Sequence, residues 1–190
     1  MTRKVARWLC GRLLITGTHS TGKTTLVTAL TRLYRDQKVV ALSEGARQCP
    51  FELNQSQNDL STTWLLATQI KTEIEATTQS DARLVICDRG VPDILSYHLA
   101  TVGKVPSGLE SLALEWLAGY DHILLARPDK ARSMTPDELR VNDARFRDEV
   151  QATIERLVFD FGTSVDVLPD DMSQRIDMTA DHLATKGLLP

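Results

Sequence analysis

Short apolar runs alternate along the chain with longer stretches in which apolar residues recur every three or four positions. The short runs fall at 13–16, 39–42, 84–87, 123–126 and 165–168. Near-continuous runs of this length suit strands buried on both faces, whereas a strand with one wet face would alternate. Helical spacing predicts helices over 23–36, 59–80, 93–101 and 108–118, then one ending near Gly162. A closing helix over 172–186 stops at Gly187, the expected place for a C-terminal cap glycine. In the first helix Leu26, Ala29, Leu30 and Leu33 share a face; in the second Leu60, Trp64, Ala67, Ile70 and Ile74 do. Cys49-Pro50 marks irregular backbone, because the residue before proline avoids the helical region. This alternation predicts an α/β fold: one domain over 1–190, with a five-stranded parallel sheet flanked by helices on both faces. No repeat, low-complexity tract or linker interrupts it.

Composition narrows the possibilities. A chain of 190 residues buries enough surface to fold without a disulfide or structural metal. A net charge of −3 argues against a protein whose main task is gripping nucleic acid. The basic start (Arg3, Lys4, Arg7) reads as a solvated tail. Cys10, Cys49 and Cys87 are odd in number and widely spaced, which predicts reduced thiols and a cytoplasmic protein. No apolar run approaches the ~20 residues of a membrane span, and no apolar leader segment is expected. A homodimer is compatible with these residues but not decided by them.

Candidate chemistry is concentrated after the first strand. Gly17, Thr18, His19, Ser20, Thr21, Gly22, Lys23 and Thr24, followed by Thr25, match G-x-x-x-x-G-K-[ST] at every fixed position, with an apolar strand before and a helix after. Gly17 and Gly22 permit backbone angles and close approaches that a Cβ would block. Successive N–H groups and the positive end of the helix then form an anion nest. Lys23 is expected on the β- and γ-phosphates and Thr24 on Mg²⁺, so the expected cofactors are ATP and Mg²⁺. The middle positions, His19 included, act through backbone, so no side-chain chemistry is assigned to them.

The motif predicts the donor and leaves the acceptor open. No guanine-reading Asn-Lys-x-Asp segment is present; Pro128-Asp129-Lys130 has the wrong order. The third strand ends in Asp88-Arg89, not the acidic pair of a motor ATPase. In an open parallel sheet, ligands bind beyond the carboxyl ends of the strands. The second strand delivers Ser43-Glu44-Gly45-Ala46-Arg47 there, and the third delivers Asp88-Arg89-Gly90. Glu44 is the first candidate for general base, Arg47 for an acceptor contact, and Asp88 for the magnesium shell. Spacing does not decide which of Glu44 and Asp88 takes the proton, and a structural ion pair of Glu44 with Arg47 or Arg89 is the alternative. Arg89 and Tyr97 are placed on the acceptor side, His98 is left open, and Trp64, in the apolar stripe, is read as core packing with stacking on a base or pyridine ring as the alternative. The insertion at 127–143 and the helix start beyond it carry Arg127, Lys130, Arg132, Arg140, Arg145 and Arg147. They suit a cationic lid that excludes water, with Arg140 and Arg145 as candidate arginine fingers and Arg127 as a candidate for stacking on adenine. The alternative is a solvated loop with ion pairs such as Arg145–Glu149.

The phosphate loop, Ser43-Glu44-Gly45-Ala46-Arg47, Cys87-Asp88-Arg89 and the arginines from Arg140 to Arg147 together resemble the NadR-kinase-like P-loop family. That family includes the ribosylnicotinamide kinase domain of the bacterial NAD regulator and is similar to deoxynucleoside and nucleoside monophosphate kinases. The resemblance covers nearly the whole chain in element order. It implies a five-stranded parallel sheet, ATP with Mg²⁺, and transfer to a hydroxyl or phosphate of a nucleoside-like acceptor. Here no DNA-binding or adenylyltransferase segment is expected, so those activities are not carried over. The expectation is an ATP-dependent phosphotransferase acting on a small nucleoside, nucleotide or ribosylnicotinamide. A kinase of polynucleotide 5′ ends and a nucleotide-dependent switch remain as alternatives.

Overall fold

β1 (Gly11–Thr16) is buried at every residue and forms the middle of the sheet. Such a strand can only sit between two others and beneath two helical layers, which is why its sequence lacks a polar face. The structure, a computed structural model, describes residues 10–43, 45–79, 81–128 and 144–189. The other strands are β2 (Val39–Leu42), β3 (Leu84–Asp88), β4 (His122–Leu125) and β5 (Val165–Val167), in the order β2-β3-β1-β4-β5. Every pairing is parallel.

Side chains alternate across this sheet into two cores. Leu13, Ile15, Ile86 and Leu124 point toward α1 (Lys23–Leu33) and α6 (Met172–Thr185). Leu14, Val85, Cys87, Ile123 and Leu125 point the other way. There they meet α2 (Asp59–Gln79), α3 (Val91–Val102), α4 (Ser107–Leu117) and α5 (Ala144–Phe161). The expected five-stranded parallel sheet with helices on both faces is therefore the observed one. Two short 3-10 helices, Gly45–Gln48 and Asn54–Ser56, occupy the stretch between β2 and α2. No helix among the described residues is long and apolar enough to cross a membrane.

Two helical faces differ from those the periodicity suggests. α1 ends at Leu33, which is 55% exposed, and the buried ring of Tyr34 takes its place in the core. In α2, Leu60 is 68% exposed, while Ser61, Thr62, Leu65, Leu66, Glu73 and Thr77 are buried. The reason is a buried polar hub that outweighs apolar spacing. Arg12, fully buried, pairs with Glu73 at 3.3 Å and lies between the rings of Trp116 and Tyr120. Glu73 also accepts from Trp116 Nε1 at 2.8 Å, the Tyr120 hydroxyl at 2.6 Å and Gln69 Nε2 at 2.8 Å. A buried charge is tolerated only when paired and hydrogen-bonded in this way. Burial, reinforced by the Glu73 charge, holds the Tyr120 hydroxyl well above its ordinary pKa, so it stays a donor.

Candidate active site

The turn from β1 into α1 forms a tight cradle. Gly17 sits at φ 134°, and a Cβ there would lie 2.1 Å from the carbonyl oxygen of Ala126 on the neighbouring strand end. No side chain but hydrogen can occupy that position. Gly22, at φ 81°, precedes α1 without a side-chain cap, and no acidic residue stands in the first turn. The helix therefore presents free N–H groups and an uncompensated positive end, as an anion site requires. The Lys23 ammonium lies inside the loop, donating to the Thr18 carbonyl at 2.5 Å and to Thr21 Oγ1 at 3.1 Å. Ser20 completes the loop in the left-handed region at φ 59°.

Two residues that sequence reasoning missed brace this loop from opposite sides. Gln151 of α5 accepts from the Thr18 N–H at 2.9 Å. Arg175 of α6, almost fully buried, donates to the Thr21 carbonyl at 2.6 Å and to the Pro169 carbonyl at 2.5 Å. Neither carries a motif; a buried arginine in the helix after the last strand is visible only once the fold is known.

Register brings the end of β3 beside the loop: Ile15 pairs with Asp88, two residues before Gly17. Thr24 Oγ1 donates to Asp88 Oδ2 at 2.6 Å, while Thr25 is exposed on the next position of α1. This hydroxyl–carboxylate pair, at the mouth of a phosphate cradle, is the hard-oxygen donor set that suits Mg²⁺. Arg89 follows at φ 73°, an unusual conformation for an arginine. Its guanidinium is held by Asp93 at 3.4 Å. Asp93, which sequence analysis passed over as a helix boundary, also accepts from Thr16 Oγ1 at 2.7 Å and the Gly90 N–H at 3.0 Å. Burial raises its carboxyl pKa, opposed by Arg89, Lys23 and these hydrogen bonds.

An open cleft continues from the loop toward α2 and α3. Arg47, Trp64, Gln69, Arg89, Asp93 and Tyr97 line it, and His19 joins it to the phosphate loop. Arg47, Arg89 and Tyr97 are thus brought together in one cleft. Trp64 is corrected from core to cleft wall: it is partly exposed, because the polar hub turns the other face of α2 inward. The Tyr97 hydroxyl lies 3.2 Å from His19 Nδ1, and its ring packs on Phe146 at 6.0 Å. His98 is instead satisfied in the interior, between Thr62 Oγ1 at 2.8 Å and the Lys104 carbonyl at 2.9 Å.

Glu44, Lys130, Arg132 and Arg140 lie outside the described residues. Arg127 is engaged in a two-pronged ion pair with Glu155, at 2.8 and 3.1 Å, which ties β4 to α5. Arg145 is exposed in the first turn of α5. Arg147 is partly buried and stands four residues before Gln151, which accepts from the loop.

Residues 12–175 match the AAA_28 family model, an AAA domain. No curated protein matches the chain in sequence. Among solved structures, thymidylate kinase from Candida albicans superposes with a TM-score of 0.70 at 16% identity, over 94% of this chain and 93% of that one. Deoxyadenosine kinase from M. mycoides gives 0.63 at 15% identity, over 92% of this chain and 99% of that one. The NadR protein, solved with NAD and AMP-PNP, gives 0.69 at 19% identity, over 96% of this chain but 51% of that chain.

Proposed function

For a chain that belongs to the AAA_28 family of AAA domains, we propose transfer of the γ-phosphate of Mg·ATP to a small nucleoside-like acceptor. The observation that supports this most is the continuity of two sites. A phosphate cradle with its Thr24–Asp88 pair opens directly into a cleft walled by two arginines and two aromatic rings. A hydrolase or switch needs the first site only. The neighbours named as kinases of thymidylate and deoxyadenosine share this fold, which agrees with the reading.

The roles follow from position. Backbone N–H groups of 19–24 and the Lys23 ammonium would hold the donor phosphates, and Thr24 with Asp88 would hold Mg²⁺. The ion, when bound, neutralises charge on the β- and γ-phosphate oxygens. Because Asp88 is engaged with Thr24, we assign the acceptor proton to Glu44, which in sequence directly precedes the cleft residues Gly45, Ala46 and Arg47. Asp93 fixes Arg89, whose fork suits an anionic acceptor or the transferring phosphoryl group. Trp64 and Tyr97, both in the cleft wall, would stack on a planar base or pyridine ring. Arg147, one helical turn before Gln151 and less exposed than Arg145, is a stronger candidate than Arg145 for charge on the phosphates. The reading is tested by ADP release from Mg·ATP with and without nucleosides, nucleoside monophosphates and ribosylnicotinamide. One acceptor class should raise the rate at least tenfold; a rate indifferent to every acceptor would sink the proposal in favour of a switch.

A further inference from the structure

At the opposite, amino-terminal edge of the sheet, three side chains from three elements converge. His122 opens β4, Asp166 lies in β5, and His182 lies in the last turn of α6. Asp166 Oδ2 is 3.1 Å from His122 Nε2 and 2.9 Å from His182 Nε2. His122 is fully buried, yet its Nε2 lacks a well-directed hydrogen-bond partner. A buried polar atom left this way is destabilising and calls for an explanation. Its other nitrogen, Nδ1, is 3.0 Å from Ser164 Oγ, which accepts from Lys186 Nζ at 2.7 Å. With the Nδ1 proton given to Ser164, Nε2 presents a lone pair toward Asp166, the arrangement that orients a metal-binding imidazole.

We propose that His122, Asp166 and His182 bind one transition-metal ion of the zinc class, away from the phosphate chemistry. Two imidazole nitrogens and one carboxylate oxygen favour zinc, cobalt or nickel over magnesium. The two carboxylate–imidazole separations, 2.9 and 3.1 Å, are slightly below the ~3.3 Å edge of a tetrahedral zinc site, and the three ligand atoms lie within 4.8 Å of one another. The histidine rings are stacked, 4.4 Å apart and tilted by 21°, so their lone pairs run side by side. Capture therefore turns the His182 ring, which is 31% exposed, against a fixed His122. Lys186, the nearest positive charge, is solvent-exposed and swings away from Ser164 and the Asp121 carbonyl. The ion would clasp β4, β5 and α6, with water as the fourth ligand.

The test is a zinc titration of the chelator-stripped full chain in excess magnesium, followed by long-range ¹H–¹⁵N spectra of the histidine rings and by thermal melting. Expected are saturation at one equivalent, joint shifts of the His122 and His182 Nε2 signals, and a melting midpoint raised roughly 5–10 °C at about 100-fold excess over Kd. His182→Ala, a change at a partly exposed position, should keep the fold by circular dichroism and lose both effects. Absence of saturable shifts at these two rings, or a midpoint rise that survives in His182→Ala, would overturn the proposal.

Discussion

The phosphate loop and the cleft proposed for the acceptor adjoin one another, yet they are built in opposite ways. The loop is one contiguous segment, 17–24, whose chemistry resides mainly in backbone geometry, with Gly17 forced by the Ala126 carbonyl. The cleft is assembled from the turn after β2, from α2, from the end of β3 and from α3, and its chemistry resides in side chains. A backbone site tolerates variation at its middle positions, whereas a side-chain site changes ligand with each substitution. On the proposed reading, backbone geometry would hold the donor and side chains the acceptor.

The largest effect should come from removing the loop's only charge-bearing side chain. Lys23→Ala should lower phosphoryl transfer by about 10³-fold, read as kcat/KM, while acceptor binding measured by calorimetry stays within twofold. Loss of acceptor binding in that variant would break the division between the two regions. Trp64→Ala should raise the KM for the acceptor roughly tenfold through lost stacking and leave the KM for ATP unchanged. Equal effects on both constants would return Trp64 to a merely structural role. Gln151→Ala removes the brace on the Thr18 N–H and should weaken ATP binding about fivefold, the worth of one hydrogen bond.

The smallest effect concerns Asp93, which belongs to both regions. Burial raises its carboxyl pKa, so the folded chain keeps that proton to higher pH than the unfolded one. Its contribution favours the fold below the unfolded carboxylate value and is lost as pH rises through the folded value. Urea unfolding across the acid range should show wild type losing stability relative to Asp93→Asn as pH increases. A flat difference would mean that Arg89 compensates the buried charge completely.

How much of this is legible in the chain depends on what holds each part. β1, β3 and β4 were legible because burial on both faces leaves continuous apolar runs, and the run 39–42 coincides with the half-exposed edge strand β2 at both ends. The loop was legible because its spacing is fixed by phosphate geometry. The buried face of α2 was not, since Ser61, Thr62, Glu73 and Thr77 are buried for hydrogen bonding and read as solvent-facing in any apolar count. For the same reason Trp64 was misplaced in the core. Asp93 escaped notice because its partners, Thr16 and Arg89, lie on two other strand ends. Gln151 and Arg175 escaped because their partner is backbone, 133 and 154 residues away.

The central claim is that one site holds the donor and its neighbour the acceptor. It is tested most directly by transfer of labelled γ-phosphate from Mg·ATP to a panel of nucleosides, nucleoside monophosphates and ribosylnicotinamide, comparing wild type, Lys23→Ala and Trp64→Ala. The account predicts a labelled product from one acceptor class, abolished by the first substitution and restored in the second by raising the acceptor concentration. Label released only as inorganic phosphate, at a rate that no acceptor alters, would contradict it.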